Sequence, residues 1–182
     1  MVHERSRLLA LLRQNAVLHG DFVLSSGQHS AVYLDARRVT LSAEGSVLVG
    51  RVFLEALEGS GAEAVAGLTL GTDPIVAAIT LLSGLDGFAL DRLIVRKERK
   101  EHGAGRRIEG PWKPGVRVAV VDDTLTTGAS SLSAARAIEE EGGQVCGVYA
   151  LIDRGQGARQ AIEGAGYAFQ AIFTAADLTQ TV

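Results

Sequence analysis

Residues Val118 to Ser130 read VAVVDDTLTTGAS. The four apolar residues Val118–Val121 predict a strand buried on both faces, the kind found inside a parallel sheet. Two carboxylates, Asp122 and Asp123, follow. Then comes a run of small and hydroxyl-bearing residues, Thr124, Leu125, Thr126, Thr127, Gly128, Ala129 and Ser130, leading into a helix. In open parallel sheets, ligands bind beyond the carboxyl ends of the strands. Ionised carboxylates there accept the strong hydrogen bonds that a sugar diol donates. Small residues let backbone N–H groups converge on one point, and a helix N-terminus adds its positive end, which suits a phosphate. The string therefore implies a phosphate and a ribose held side by side. Taken alone, the acidic pair also fits a plain strand end and helix cap. No GxxxxGK[ST] occurs and no GxGxxG follows a strand, which excludes the Walker and dinucleotide readings.

Outward from this string the pattern is regular. Ala64–Leu70 predicts a buried strand, GTDP a turn with Pro74 as first helical residue, and IVAAITLL a helix. Arg92–Lys97 predicts the next strand, and Glu98–Gly110 a long polar loop. Helix Ser131–Glu141, strand VCGVYALID, helix Gly157–Gly164 and strand Tyr167–Phe173 complete the alternation. Upstream, Leu8, Leu9, Leu11 and Leu12 recur at helical spacing, and Gly20 and Asp21 break that segment. Phe22–Gly27 and Ala31–Arg37 predict two short strands, and Ser42 caps a helix through Leu57. The result is an α/β domain spanning 1–182 with a mainly parallel central sheet flanked by helices. Its core covers about 60–182, and about 1–40 forms a small N-terminal hood.

Composition narrows the class. Hydrophobic residues make up 47% and charged residues 21% of 182, the ordinary globular balance. The formal net charge of -3 provides no chain-wide basic field for nucleic acid. One cysteine, Cys146, sits in an apolar run and reads as a small core residue, compatible with a reducing cytoplasm. No segment has the form of a signal core, and none approaches the roughly 20 apolar residues of a membrane helix.

A local basic patch stands apart. Arg96–Arg107, RKERKEHGAGRR, holds six Lys/Arg against two Glu, with His102 among them. Such a run fits a solvated loop, a nucleic-acid patch, or a flexible lid facing an anion. Gly103 and Gly105 would let a lid open and close, and its cations would offset negative charge developing on a leaving group.

The strings together are more specific. VAVVDDTLTTGAS resembles the phosphoribosyl-pyrophosphate (PRPP) signature of type I phosphoribosyltransferases. RKERKEHGAGRRIEG resembles the catalytic loop of the orotate phosphoribosyltransferases within that group. FVLSSGQHSAVYLDAR resembles their N-terminal FxLxSGxxSxxYxDxR segment, and LIDRGQGA places Arg154 where their orotate-contacting arginine stands. The resemblance spans about Phe22 to Gly155. It implies the type I fold and transfer of ribose 5-phosphate from PRPP to orotate, giving orotidine 5′-monophosphate and pyrophosphate. It implies that Asp122 and Asp123 contact the ribose hydroxyls and that Thr124 to Ser130 bind the 5′-phosphate. Arg96, Lys97, Lys100 and His102 would bind the pyrophosphate, with Lys100, His102 and Asp123 the catalytic groups. Thr126 and Arg154 would contact orotate, and the planar fork of arginine suits its carboxylate. Mg²⁺ would be held mainly through the substrate, and the basic loop would be shared across a cytoplasmic homodimer. The sequence departs from the family at Ser25 and at Gly71–Thr72, where lysines are common. Two other readings stay open: a phosphoribosyltransferase for another base, and a PRPP-binding regulator of nucleic acid.

Overall fold

The computed structural model describes residues 2–23, 29–98 and 107–179. The chain opens with helix α1 (Val2–Asn15), strands β1 (Val17–Val23) and β2 (His29–Leu34), and helices α2 (Arg37–Thr40) and α3 (Ala43–Ala56). Then follow β3 (Ala64–Leu68), α4 (Asp73–Leu85), β4 (Asp91–Val95), β5 (Ile108–Glu109) and β6 (Arg117–Leu125). Helix α5 (Ala129–Glu140), β7 (Gln144–Asp153), α6 (Ala158–Gly164), β8 (Phe169–Thr174) and α7 (Ala175–Thr179) complete the order. β3, β4, β6, β7 and β8 lie parallel in a six-stranded sheet of order β5-β4-β3-β6-β7-β8, with β5 antiparallel at one edge. This is the mainly parallel α/β architecture expected from the alternation.

The central strands feed two cores. Ala119 and Val121 of β6 pack with Leu8, Leu12, Phe53, Ile75 and Ile79 on the face of α1, α3 and α4. Val118 and Val120 pack with Ala134, Ala135, Ile138 and Ile162 on the face of α5 and α6. Side chains alternate along a strand, so a continuous apolar run supplies both faces. That alternation sets where the next two residues point.

Several boundaries differ from the sequence reading. Gly20 and Asp21 do not end the first ordered segment; they lie inside β1, where the pairing with β2 shifts register between His19 and Phe22. Exposed polar residues in an edge hairpin form a bulge as readily as a break. β6 continues past the acidic pair to Leu125, because its hydrogen bonds to β7 extend to Asp153. Pro74 is the second helical residue of α4, after Asp73. β5 and α7 had no sequence signal; β5 is only two residues long, and α7 only five.

α1 is strapped to the C-terminal end of the chain. Arg13 donates from Nε to the Asp177 carbonyl at 2.8 Å, and the Arg5 guanidinium lies 4.8 Å from the Phe173 ring centre. Cys146 is half-buried against the first core, and desolvation raises its thiol pKa.

Ser42 caps α3 as expected, with Oγ accepting from the Gly45 N–H at 3.1 Å. Ser42→Ala should lower stability by about 1 kcal/mol and the melting temperature by about 2–4 °C in scanning calorimetry. An unchanged melting temperature would show that the cap carries no weight.

Candidate active site

At the carboxyl ends of β3 and β6 lies a cleft of about 660 Å³. Its walls come from four places in the chain. β6 and its turn supply Asp123, Thr124, Thr126 and Thr127. The loop after β3 supplies Leu70 and Gly71, the hood supplies Tyr33, Asp35 and Arg37, and the turn after β7 supplies Arg154 and Gln156. Lys97, at the root of the basic loop, completes the rim.

The two acidic residues part company. Asp123 continues the Ala119–Val121 face and enters the cleft. Asp122 continues the Val118–Val120 face, is 6% exposed, and does not line the cleft. Its Oδ2 accepts from Ser130 Oγ and from Ser131 Oγ, both at 2.7 Å. Its Oδ1 accepts from the Asp123 N–H at 3.0 Å. The expectation that both carboxylates project to the ligand edge is therefore corrected for Asp122. Adjacent strand residues point to opposite sides, and only one side is the cleft.

Burial, reinforced by the neighbouring Asp123 charge, pushes the Asp122 carboxyl up to about 6, against the opposing serine hydrogen bonds. Asp123 is held by the chain itself: Oδ1 accepts from the Thr124 N–H at 2.8 Å. Gly71 makes room for its carboxylate. A Cβ added at Gly71 would stand 2.7 Å from Asp123 Oδ2, closer than real Cβ contacts. Thr72 turns away from the cleft, is 1% exposed, and donates from Oγ1 to the Leu68 carbonyl at 2.9 Å. It occupies the space left by Gly67, where a Cβ would approach its side chain to 2.5 Å. Neither place where the family's lysine is common carries a cation here.

The phosphate-loop residues also divide. Thr124, Thr126 and Thr127 line the cleft, and Thr124 Oγ1 is buried with no hydrogen-bond partner among the described residues. Leu125 puts its side chain into the second core, 1% exposed, which leaves only its backbone to the loop. Gly128 takes φ +79° at the N-cap of α5, a conformation that glycine adopts without strain. Ala129 opens that helix, and Ser130 turns back to Asp122.

The root of the basic loop is a clasp. Arg96 N–H donates to the Arg107 carbonyl at 2.9 Å. Arg107 donates from Nε to the Arg96 carbonyl at 3.2 Å, from Nη2 to Ser133 Oγ at 3.2 Å, and from its N–H to Glu141 at 2.9 Å. Lys97 faces the cleft, whereas Arg96 lies 3.6 Å from Glu109 and does not line it. Of the pair expected on the pyrophosphate, Lys97 lines this chain's own cleft and Arg96 does not. Lys100, His102 and Ser25 lie outside the described residues.

Arg154 sits where the sequence placed it. Its N–H donates to the Leu125 carbonyl at 2.9 Å, which ties the turn after β7 to the end of β6. Tyr33, Asp35 and Arg37 are the Tyr, Asp and Arg of the FxLxSGxxSxxYxDxR match, whereas Gln156 had no sequence signal. Arg37 Nε donates to Asp35 Oδ1 at 2.8 Å, and Phe22 lies 5.5 Å from Tyr33 between ring centres.

A parallel sheet with an acidic, hydroxyl-lined loop at its carboxyl edge and a hood above it is the type I phosphoribosyltransferase fold. Solved structures agree. An orotate phosphoribosyltransferase of Mycobacterium tuberculosis H37Rv in complex with Fe(III) dicitrate superposes with a TM-score of 0.88 at 42% identity, covering 97% of this chain and 99% of that one. The same enzyme in complex with PRPP gives 0.84 at 38% identity over 97% and 99%. An adenine phosphoribosyltransferase of Thermoanaerobacter pseudethanolicus, at 18% identity and a TM-score of 0.66, shares the fold. No family model matches the chain. Among curated relatives, the orotate phosphoribosyltransferase of Synechocystis is 46% identical over 177 residues, 97% of this chain and 89% of its own length. That of Thermosynechococcus vestitus is 48% identical over 175 residues, 96% and 92%. The chain belongs to the orotate phosphoribosyltransferase family.

The raised Asp122 carboxyl has a consequence for stability. The folded chain keeps a proton there that the unfolded chain releases, between 3.8 and about 6. Stability from this group is therefore present at low pH and is lost as pH rises through that window. Melting temperatures of the wild type and Asp122→Asn from pH 4 to 7 should diverge, with the wild type losing ground as pH rises. Parallel curves would refute the shifted carboxyl.

Proposed function

We propose that this chain transfers ribose 5-phosphate from PRPP to orotate, forming orotidine 5′-monophosphate and pyrophosphate for pyrimidine biosynthesis. The observation that carries the reading is one cleft in which Asp123, the threonines of the β6 turn, Lys97 and Arg154 converge. Within it, Asp123 accepts hydrogen bonds from the ribose hydroxyls. The backbone of Thr124 to Ser130 and the hydroxyls of Thr126 and Thr127 take the 5′-phosphate at the start of α5. The orphan hydroxyl of Thr124 supports a nearby oxygen acceptor. Arg154 and Thr126 hold orotate, with the guanidinium fork on its carboxylate.

As the C1′–O bond to pyrophosphate breaks, with the bonding pair leaving on pyrophosphate, a C1′–N bond to the orotate ring nitrogen forms and the ring N–H proton passes to solvent or the departing pyrophosphate. Asp123 and the phosphate loop fix the sugar on either side of C1′, so the protein acts chiefly by positioning. Lys97 from this rim, with Lys100 and His102 of the lid, offsets the charge that builds on the departing pyrophosphate. Of the cleft's carboxylates, Asp35 is committed to Arg37 and Asp123 faces the sugar. That donor set fits a Mg²⁺ held mainly through pyrophosphate and ribose oxygens. Bound there, the ion would neutralise phosphate charge.

The chain acts as one domain, with the β1–β2 hairpin as its hood and α1 packed into the first core, in a cytoplasmic homodimer whose lids are exchanged. Arg96 lies outside its own cleft, beside Glu109, which supports exchange. Leu81 and Leu85 of α4 and Phe88 beyond it are more than half exposed and offer apolar material for an interface.

A spectrophotometric assay of orotate consumption with PRPP and Mg²⁺ tests the reaction. Arg154→Ala should raise the orotate KM at least about tenfold while PRPP still binds; an unchanged KM removes the assignment. Lys100→Ala and Asp123→Asn should each be nearly inactive. If lids are exchanged, mixing the two should restore up to about a quarter of wild-type activity, since half the dimers carry one intact site. No recovery after subunit exchange would place the lid over its own cleft.

A further inference from the structure

We infer that Asp122 is a positioning residue, one that fastens the start of α5 to the end of β6 through the hydroxyls of Ser130 and Ser131. The inference rests on the reading of the cleft as a PRPP site, and it adds Ser131 to the groups on which phosphate binding depends. A single carboxylate oxygen takes both hydroxyl protons at 2.7 Å. The other oxygen takes the Asp123 N–H, so the same carboxylate also fixes the backbone that carries the ribose ligand. Asp122 is 6% exposed and Ser131 1% exposed, so that arm of the knot is closed to solvent, while Ser130 is half-buried.

The geometry explains why the knot is needed. Between Leu125 at the end of β6 and Ala129 at the start of α5 there are three residues, Thr126, Thr127 and Gly128, and Gly128 has the most permissive backbone of the three. No side chain caps α5 at Gly128. Backbone N–H groups that bind a phosphate must be held in their converged arrangement beforehand, or ordering them subtracts from affinity. Two serine hydroxyls on the first turn of α5, drawn to one buried anion on β6, hold the turn closed from below. Ser130 and Ser131 thereby act on the phosphate from the side of α5 away from the cleft.

Ser131→Ala is the clean test, because Ser131 neither lines the cleft nor belongs to the phosphate-loop string. It removes one charge-assisted hydrogen bond and leaves the apolar packing in place. PRPP affinity should be measured by calorimetry on the full-length protein with Mg²⁺, alongside both KM values and the melting temperature. PRPP Kd and KM are expected to rise about tenfold, the worth of one such bond, with the orotate KM near wild type and the melting temperature lowered by only a few degrees. Ser131→Thr, which keeps the hydroxyl, should recover most of the loss. Asp122→Asn, which keeps an acceptor oxygen without the charge, should fall between wild type and Ser131→Ala. An unchanged PRPP Kd in Ser131→Ala overturns the inference. So does a loss shared equally by PRPP, orotate and melting temperature, which would mark a merely structural serine. If wild type binds PRPP but does not consume orotate, the proposed reaction fails while the knot is still tested by the PRPP Kd.

Discussion

The end of β6 is the constraint on which the rest depends. The strand is buried on both faces, so its side chains must alternate between two cores, and that alternation continues into the acidic pair. Asp123 is carried to the face that opens into the cleft. Asp122 is carried under α5, where a lone carboxylate would be costly unless satisfied. Ser130, Ser131 and the Asp123 N–H satisfy it. One period-two rule thus sets a carboxylate in the cleft, a buried carboxylate under α5 and the start of the turn between strand and helix.

Helix α5 links the parts that must act together. Its first turn follows the hydroxyl-rich turn after β6, and its later turns receive the clasp of Arg107 through Ser133, with Glu141 just beyond the last turn. Arg107 closes that clasp by binding both Arg96 and α5. Residues 96 and 107, at the two ends of the basic segment, are thereby registered to the helix that follows β6. The loop after β3 is registered independently, because Thr72 seats in the space beside Gly67 and Gly71 lies against Asp123. Here small residues at 67 and 71 permit close approach, and a Cβ at 71 would press on the Asp123 carboxylate.

Much of this was legible beforehand, for identifiable reasons. Val118–Val121 is a run of apolar residues that can only be a buried strand next to Gly-rich turns, and Ser42 precedes an apolar helical face. Arg154 follows a long apolar strand, so its place at the carboxyl edge follows from the fold class. The first strand of the hood was harder, since its exposed polar residues share no periodicity and the pairing is bulged. β5 pairs only through Ile94–Glu109 and Val95–Ile108, which no local pattern announces. The roles of Tyr33, Asp35, Arg37 and Gln156 arise only when the hood lies over the sheet.

The thirteen residues from Val118 to Ser130 determined, by themselves, a buried strand, an acidic end and an anion-binding turn. Their composition and order are local properties, and local propensity was enough to read them. They did not determine which carboxylate enters the cleft. That depended on which face of the sheet α5 covers, and so on packing between residues distant in sequence. Arg96 and Lys97 repeat the lesson: adjacent in the chain and alike in charge, they leave β4 in different directions. The sequence settled which groups were available, and the tertiary structure decided which of them share a space.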